Sequence, residues 1–319
     1  MAHALIEMRP LGRSGLEVPR VMLGCGNFGG VGSAPEFFGQ GIDENGAFAL
    51  MDAAWELGIR HFDTADAYGG GRSEAMIGRW CAARGVRPAI TTKTFNPMTA
   101  GADHGLAPDR IDRQLAASLD RLGTDRVDLY LAHEYDPDVA LEDTIGAFEA
   151  ARAAGSIGAY GVSNFDAAQL ARAAAAGAPA CVQNAFSLLD RGAEDAVLGV
   201  CAKSDVAYAA FGPLAGGWLT GKYRRGQPFP GGSRMTQRPE PYAHFVRDGV
   251  FDALEKLERM GRERGVSMAG IALAWLLGEP QLTAVVVGPT RPDHLEPVRE
   301  ALGDPLDAAT RDELSRIFA

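Results

Sequence analysis

Cysteine is scarce in this chain. The four, Cys25, Cys81, Cys181 and Cys201, lie far apart among 319 residues, and no two make a CxxC pair. That spacing argues against a disulfide framework and shows no zinc site of the usual Cys or Cys/His pattern. The four are read as small buried hydrophobes, and no metal is expected. Long apolar runs are missing too: nothing approaches the roughly 20 residues that cross a bilayer. The segment Met1–Pro10 carries His3, Glu7 and Arg9 without the apolar stretch of a secretory signal. A cytoplasmic protein with no membrane partner is therefore expected. Basic charge is in deficit, with 31 Lys and Arg against 41 Asp and Glu, a net charge of −10. This argues against a nucleic-acid partner but leaves room for a local basic pocket holding one anionic ligand.

What the chain does have is alternation. Short apolar or β-branched runs are expected as strands at Arg20–Leu23, Arg60–Asp63, Ala89–Lys93, Asp128–His133, Gly158–Val162, Cys181–Asn184, Ala207–Phe211 and Ala284–Val287. Between and after them lie stretches of helical period at Asn45–Leu57, Ser73–Arg84, Pro108–Leu122, Leu141–Ala154, Ala167–Ala176, Ala193–Ser204, Val250–Leu277, Pro292–Leu302 and Ala308–Phe318. The seventh of these breaks at Gly265, with Ser267 as the N-cap of its second half, and Asp307 caps the last. Eight strands each followed by helix is the count of a barrel. A doubly wound open sheet also alternates. Its dinucleotide fingerprint, however, is not completed by Leu23-Gly24-Cys25-Gly26-Asn27-Phe28, which opens a long loop instead of a helix. The expected fold class is thus α/β, a (β/α)8 TIM barrel forming one domain over residues 1–319. An N-terminal β-hairpin, Met8–Val18, would plug its bottom, and Ala308–Phe318 would be an extra C-terminal helix. The aperiodic stretch from Gly212 to Gly249 has a length that marks function or disorder.

Chemistry collects at strand ends. The second expected strand runs into His61-Phe62-Asp63-Thr64-Ala65-Asp66-Ala67-Tyr68-Gly69, the third ends in Thr91-Thr92-Lys93, and the fourth in Leu131-Ala132-His133. In a barrel these ends share one mouth, where barrel active sites lie. Any one of the four has a plain structural use. Asp63 could cap a helix, Tyr68 could pack in a turn, Lys93 could be a solvated terminus, and His133 could be a rim residue. Together they make a proton donor: an ammonium beside a phenol lowers the phenol's pKa from about 10, and Asp63 supplies the ammonium's counter-charge. A phenol tuned in this way suits the acid step of a carbonyl reduction. No G-x-S-x-G elbow for acyl transfer is present.

The segment Phe62-Asp63-Thr64-Ala65-Asp66-Ala67-Tyr68-Gly69, with Arg72-Ser73-Glu74 and Ile77-Gly78, resembles the signature of the aldo-keto reductase superfamily. Further matches follow in the family's order: Thr92-Lys93, Asp128-Leu129-Tyr130 with His133, Gly161-Val162-Ser163-Asn164-Phe165, Gln183-Asn184, the run from Gly212 to Tyr223, and Val287-Gly288 with Leu295. The resemblance implies a reductase of aldehydes or ketones using NADPH, with NADH possible, in which Asp63, Tyr68, Lys93 and His133 form the catalytic tetrad. It implies that Ser163, Asn164 and Gln183 hold the nicotinamide carboxamide and that Phe211 stacks on the ring. Gly26, Asn27 and Phe28 would lie near the ribose, and Gly212, Pro213, Leu214 and Gly216 would form a loop against the cofactor. Lys222 would reach the pyrophosphate, and Ser233 with Arg234 the adenosine phosphate end. Gly288, Thr290 and Arg291 would hold the 2′-phosphate, with His294 standing where many members carry Arg or Gln.

Phe211 replaces the family's more familiar Tyr, and Pro297 and Val298 stand where an acid and Asn usually grip adenine. The carbonyl substrate is expected to meet Phe28, Phe37, Phe38, Phe95, Asn96, Glu134, Tyr135, Trp218 and Tyr223 in a fairly open pocket. Two other readings come with the resemblance. One is a non-catalytic NADPH-binding redox sensor like the potassium-channel β subunits, which commonly lack the tetrad His. The other is reduction of an activated C=C or C=N bond. The resemblance does not fix an oligomeric state.

Overall fold

The computed structural model describes residues 6–192, 194 and 196–319. Its first strands, β1 (Met8–Pro10) and β2 (Glu17–Pro19), pair antiparallel around a 3₁₀ turn at Gly12–Ser14. Eight parallel strands follow: β3 (Val21–Gly24), β4 (His61–Asp63), β5 (Ala89–Thr94), β6 (Val127–Ala132), β7 (Ile157–Ser163), β8 (Cys181–Ala185), β9 (Ala207–Phe211) and β10 (Ala284–Val287). They close in chain order, β10 pairing back onto β3 with Val285 opposite Val21. This is the α/β fold with a closed eight-stranded barrel and an N-terminal hairpin.

The helices are α1 (Glu44–Leu57), α2 (Arg72–Arg84), α3 (Pro108–Leu122), α4 (Leu141–Ala153), α5 (Ala167–Ala176), α6 (Val197–Ser204), α7 (Arg234–Gln237), α8 (Asp248–Arg264), α9 (Met268–Leu277), α10 (Glu296–Gly303) and α11 (Ala308–Ile317). Local chemistry sets their ends. Asp43 caps α1 by accepting from the Gly46 amide, and Gly58 ends that helix at φ 96°, a left-handed turn that a β-carbon would resist. Ser267 accepts from Gly270 N at the start of α9, and Asp307 accepts from Thr310 N at the start of α11, as the sequence led us to expect. The expected helix start at Ala193 lies outside the described residues; among the described residues α6 begins at Val197.

Strand alternation divides the core in two. Outward residues such as Phe62, Ile90, Tyr130 and Val182 pack against the helix layer. Inward residues Met22, Leu129, Leu131, Ala159, Cys181, Ala207, Ala209, Ala284 and Val286 fill the barrel, and Leu11 and Val18 of the hairpin pack against them from below. Ala and Cys dominate on β7 to β9, so the bulk inside the barrel comes from Met22, Leu129, Leu131 and Val286 on the other strands. No described helix is long and apolar enough to cross a membrane.

Candidate active site

Toward the C-terminal ends of the strands the inward layer changes from apolar to polar. Register explains the change: Asp63 on β4 lies opposite Thr91 on β5, and Lys93 is the next inward residue on β5. The Lys93 ammonium donates to Asp63 Oδ1 at 2.6 Å and to the Thr64 carbonyl at 2.8 Å. The other carboxylate oxygen of Asp63 accepts from Gln183 Nε2 at 2.7 Å. The two side chains of this ion pair are only 1% and 3% exposed. Lys93 Nζ is 5.1 Å from the centre of the Tyr68 ring, and that ring meets His133 edge-on with centroids 5.5 Å apart. The structure thus brings Asp63, Tyr68, Lys93 and His133 together although they span seventy positions.

The electrostatics differ from the sequence expectation at one point. Burial would strip the proton from Lys93, but Asp63 and then Tyr68 outweigh it and hold the amine above its ordinary value. For Tyr68 the balance goes the other way. Burial raises the phenol above 10, and Lys93 opposes that without reversing it. The expected lowering is therefore overturned in the open site, because loss of water around the phenolate costs more than one nearby ammonium returns. Burial, followed by the charge of Lys93, lowers His133 well below 6.5, so its imidazole is neutral. Its Nδ1 is buried without a partner among the described residues. The site therefore presents a protonated phenol, a buried cation and a neutral imidazole at one point.

Beside it, Asn164 sits at φ 59° just after β7. Its Nδ2 donates to the His133 carbonyl at 2.9 Å and to Glu134 Oε1 at 3.0 Å. Ser163 Oγ donates to the Gln183 carbonyl at 2.8 Å. Neither Asn164 Oδ1 nor Gln183 Oε1 accepts a hydrogen bond from the described residues. Phe211 closes β9 and packs on the barrel interior. A β-carbon at Gly26 would come within 3.5–3.6 Å of the Tyr68 ring, so the bare glycine keeps that edge of the phenol open.

Cations without acids gather in the loop after β9. Lys222, Arg234 and Arg238 make no ion pair among the described residues, and Arg234 donates only to Asn27 Oδ1, at 2.6 Å. Burial and then Arg234 lower Lys222, and Arg234 is itself lowered by burial and by Arg238. Such mutual repulsion marks a site suited to an anion. The bare backbone of Gly217, at φ 95°, gives Lys222 its place, since a β-carbon there would collide with Lys222 Cε and Nζ. Gly212 and Gly216 share that left-handed geometry, Pro213 and Leu214 lie between them, and Ser233 is buried ahead of α7. Beside that loop, Gly288, Thr290, Arg291 and His294 follow β10, the strand paired with β9. Thr290 Oγ1 lies 3.1 Å from His294 Nδ1, and exposed Arg291 bonds Asp293 at 2.8 Å.

Several expected positions are elsewhere. Trp218 and Tyr223 are not pocket lining: they are 0% and 2% exposed and pack with Phe229, and Trp218 also with Phe245 and Phe251. Phe28 is fully enclosed in the strand–helix core, so its side chain cannot line a ribose or substrate pocket. Arg224 pairs with Glu258, and Arg225 with Asp248, Asp252 and Glu255 on α8. The stretch from Gly212 to Gly249 holds α7 and two 3₁₀ turns, at Ala215–Thr220 and Ala243–Phe245. The sequence reading also missed a buried polar layer between β5 and helices α2 and α3. There Glu74 accepts from Thr92 Oγ1 and from Arg121 at 2.7 Å. Asp66, with Oδ2 unpartnered among the described residues, is pushed up to about 7 by burial and by Glu74. Acids at 66 and 74 flanking one turn are the trace this layer leaves in the sequence.

A barrel with a buried Lys–Asp pair and a phenol at its mouth defines an oxidoreductase class, and comparison with known proteins agrees. Residues 20–318 match the model of the aldo/keto reductase family. An uncharacterized oxidoreductase of Bacillus subtilis is 34% identical, covering 98% of this chain and 96% of its own. An aldo-keto reductase of Schizosaccharomyces pombe, named with NADP(+), is 30% identical over 93% of this chain and 87% of its own. Among solved structures, the glycerol dehydrogenase from Gluconobacter oxydans superposes with a TM-score of 0.82 at 25% identity, covering 99% and 95% of the two chains. The chain belongs to the aldo/keto reductase family and is an oxidoreductase enzyme of that family.

Proposed function

We propose that the chain reduces an aldehyde or ketone to an alcohol with NADPH, NADH being a usable substitute, and that Tyr68 is the general acid. The observation that supports this best is the buried Lys93–Asp63 pair at 2.6 Å beneath the Tyr68 ring. When bound, the nicotinamide supplies the hydride. Tyr68 donates its O–H proton to the carbonyl oxygen as negative charge develops there. Lys93 stabilises the phenolate left behind, in a setting where a fixed charge acts more strongly than in water. Asp63 keeps Lys93 protonated. Neutral His133 donates a hydrogen bond that orients the carbonyl oxygen.

The residues present fit the cofactor. Asn164 Oδ1 and Gln183 Oε1 are acceptors for a carboxamide N–H, with Ser163 beside them. Phe211 offers a ring face, and Gly26 and Asn27 flank the ribose. Lys222, Ser233 and Arg234 receive the phosphates, with Gly212, Pro213, Leu214 and Gly216 as the supporting loop. Gly288, Thr290, Arg291 and His294 take the 2′-phosphate end. The same reading treats residues 1–319 as one cytoplasmic catalytic domain acting on a small carbonyl compound.

The test follows cofactor absorbance with an activated aromatic aldehyde, comparing wild type with Tyr68→Phe. Turnover should fall roughly 10²–10⁴-fold, while NADPH binding read by fluorescence quenching persists. An undiminished rate in Tyr68→Phe would overturn the assignment. NADPH binding by the wild type with no carbonyl turnover would favour the redox-sensor reading.

A further inference from the structure

Glu134 follows His133 directly, and the chemistry above does not use it. Its carboxylate is half-buried at the mouth, where Oε1 accepts from Asn164 Nδ2 at 3.0 Å. Asn164 is turned toward it by a left-handed backbone and donates at the same time to the His133 carbonyl. Glu134 Oε2 accepts no hydrogen bond, and no cation pairs with Glu134, among the described residues. Burial alone pushes its carboxyl up to about 7, with no neighbouring charge contributing. Tyr135 beside it in the chain, and Phe95 and Asn96 after the neighbouring strand β5, are partly exposed and carry no formal charge. Arg172 on α5 pairs with no acid among the described residues, but it is exposed and donates to Tyr135 Oη at 3.2 Å rather than to Glu134. The acid-free cations Lys222, Arg234 and Arg238 belong to the loop after β9, three strands away round the barrel. This side of the mouth therefore carries a carboxylate with one free oxygen and no cation bonded to it among the described residues, and the cluster of three acid-free cations lies three strands away.

We propose that Glu134 sets substrate class: it rejects carbonyl compounds that bear a carboxylate or phosphate and accepts a hydroxyl hydrogen bond from neutral hydroxy-aldehydes and hydroxy-ketones. This rests on the carbonyl-reductase reading given above. A second negative charge held near an unpaired carboxylate in a partly dry cleft is repelled, and the repulsion is worth on the order of tenfold in affinity. A neutral hydroxyl meets a charged acceptor, which is the stronger kind of hydrogen bond.

The test uses matched aldehydes: 4-carboxybenzaldehyde against its methyl ester, and glyceraldehyde 3-phosphate against glyceraldehyde. The readout is the ratio of kcat/KM, neutral over anionic, at pH 8. Wild type should favour the neutral member of each pair by about tenfold or more. Glu134→Gln should cut that ratio about tenfold, chiefly through KM for the anionic member, and Glu134→Asp, which keeps the charge, should retain it. A general loss of structure would lower both members together and leave the ratio alone. Turnover with the same ratio in wild type and Glu134→Gln would overturn this proposal and spare the reductase reading. Absence of turnover on all four aldehydes by the wild type would overturn both.

Discussion

Replacing Lys93 by Met and Asp63 by Asn, singly and together, tests the pair on which the site depends. At 2.6 Å and an effective dielectric of about 20, the Coulomb attraction is about 6 kcal/mol, opposed by several kcal/mol of desolvation for each ion. Either single change leaves a buried charge without its partner. Lys93→Met leaves Asp63 with only the Gln183 amide, and Asp63→Asn leaves Lys93 with the Thr64 carbonyl. Each should cost about 3–5 kcal/mol. The double variant leaves no buried charge in the pair, and Met occupies nearly the volume of the Lys stem. Its loss should therefore resemble that of one single variant, a coupling of about 3 kcal/mol. Urea unfolding of the four proteins at pH 7 reads the cycle, and the same four are assayed for turnover, which should be low in every variant. Stability losses that add to within about 0.5 kcal/mol would refute the coupling. Substantial turnover in the double variant would refute the need for a cation beneath the phenol.

Two further outcomes are expected. Asp66 is protonated in the fold up to about pH 7 but only to 3.8 when unfolded, and it faces Glu74, Thr94, Arg110 and the Ala67 amide. Its raised value favours the fold below about pH 4, and that contribution is lost as pH rises through 7. Wild type should thus fall relative to Asp66→Asn by up to about 4 kcal/mol between pH 4 and 8. Thermal midpoints across that range check it, and parallel curves would count against a buried proton. Arg291→Ala, which removes an exposed cation paired among the described residues only with Asp293, should weaken NADPH on the order of tenfold and leave NADH almost untouched; equal losses for both would remove its assignment to the 2′-phosphate.

Much of the architecture was legible because one periodicity carries it. On β4 and β5 polar residues at inward positions alternate with outward Phe62, Ile90 and Thr92, so His61-Phe62-Asp63 and Thr91-Thr92-Lys93 reveal both the strand and the face. Helix ends were legible where one residue makes the cap, as at Ser267 and Asp307. Trp218 and Tyr223 were misread for the opposite reason. Their burial comes from aromatic residues at 229, 245 and 251, and a loop packing on itself has no period to read. The division of arginines after β9 was in principle readable. Asp248, Asp252, Glu255 and Glu258 recur at helical spacing, so one acidic face of α8 takes up Arg224 and Arg225, leaving Lys222, Arg234 and Arg238 without an acid among the described residues.

The direction of the Tyr68 shift lay beyond pairwise reading altogether. A neighbouring ammonium is visible in the sequence, whereas the number of atoms that exclude water from a phenol is a property of the whole fold. A phenol at its ordinary pKa already keeps its proton at neutral pH, so burial adds nothing to the loading of the donor and by itself makes it a weaker acid. The ammonium 5.1 Å from the ring then matters most when negative charge forms on the phenolic oxygen. An interaction stronger in the transition state than in the ground state is the kind that raises turnover rather than binding alone.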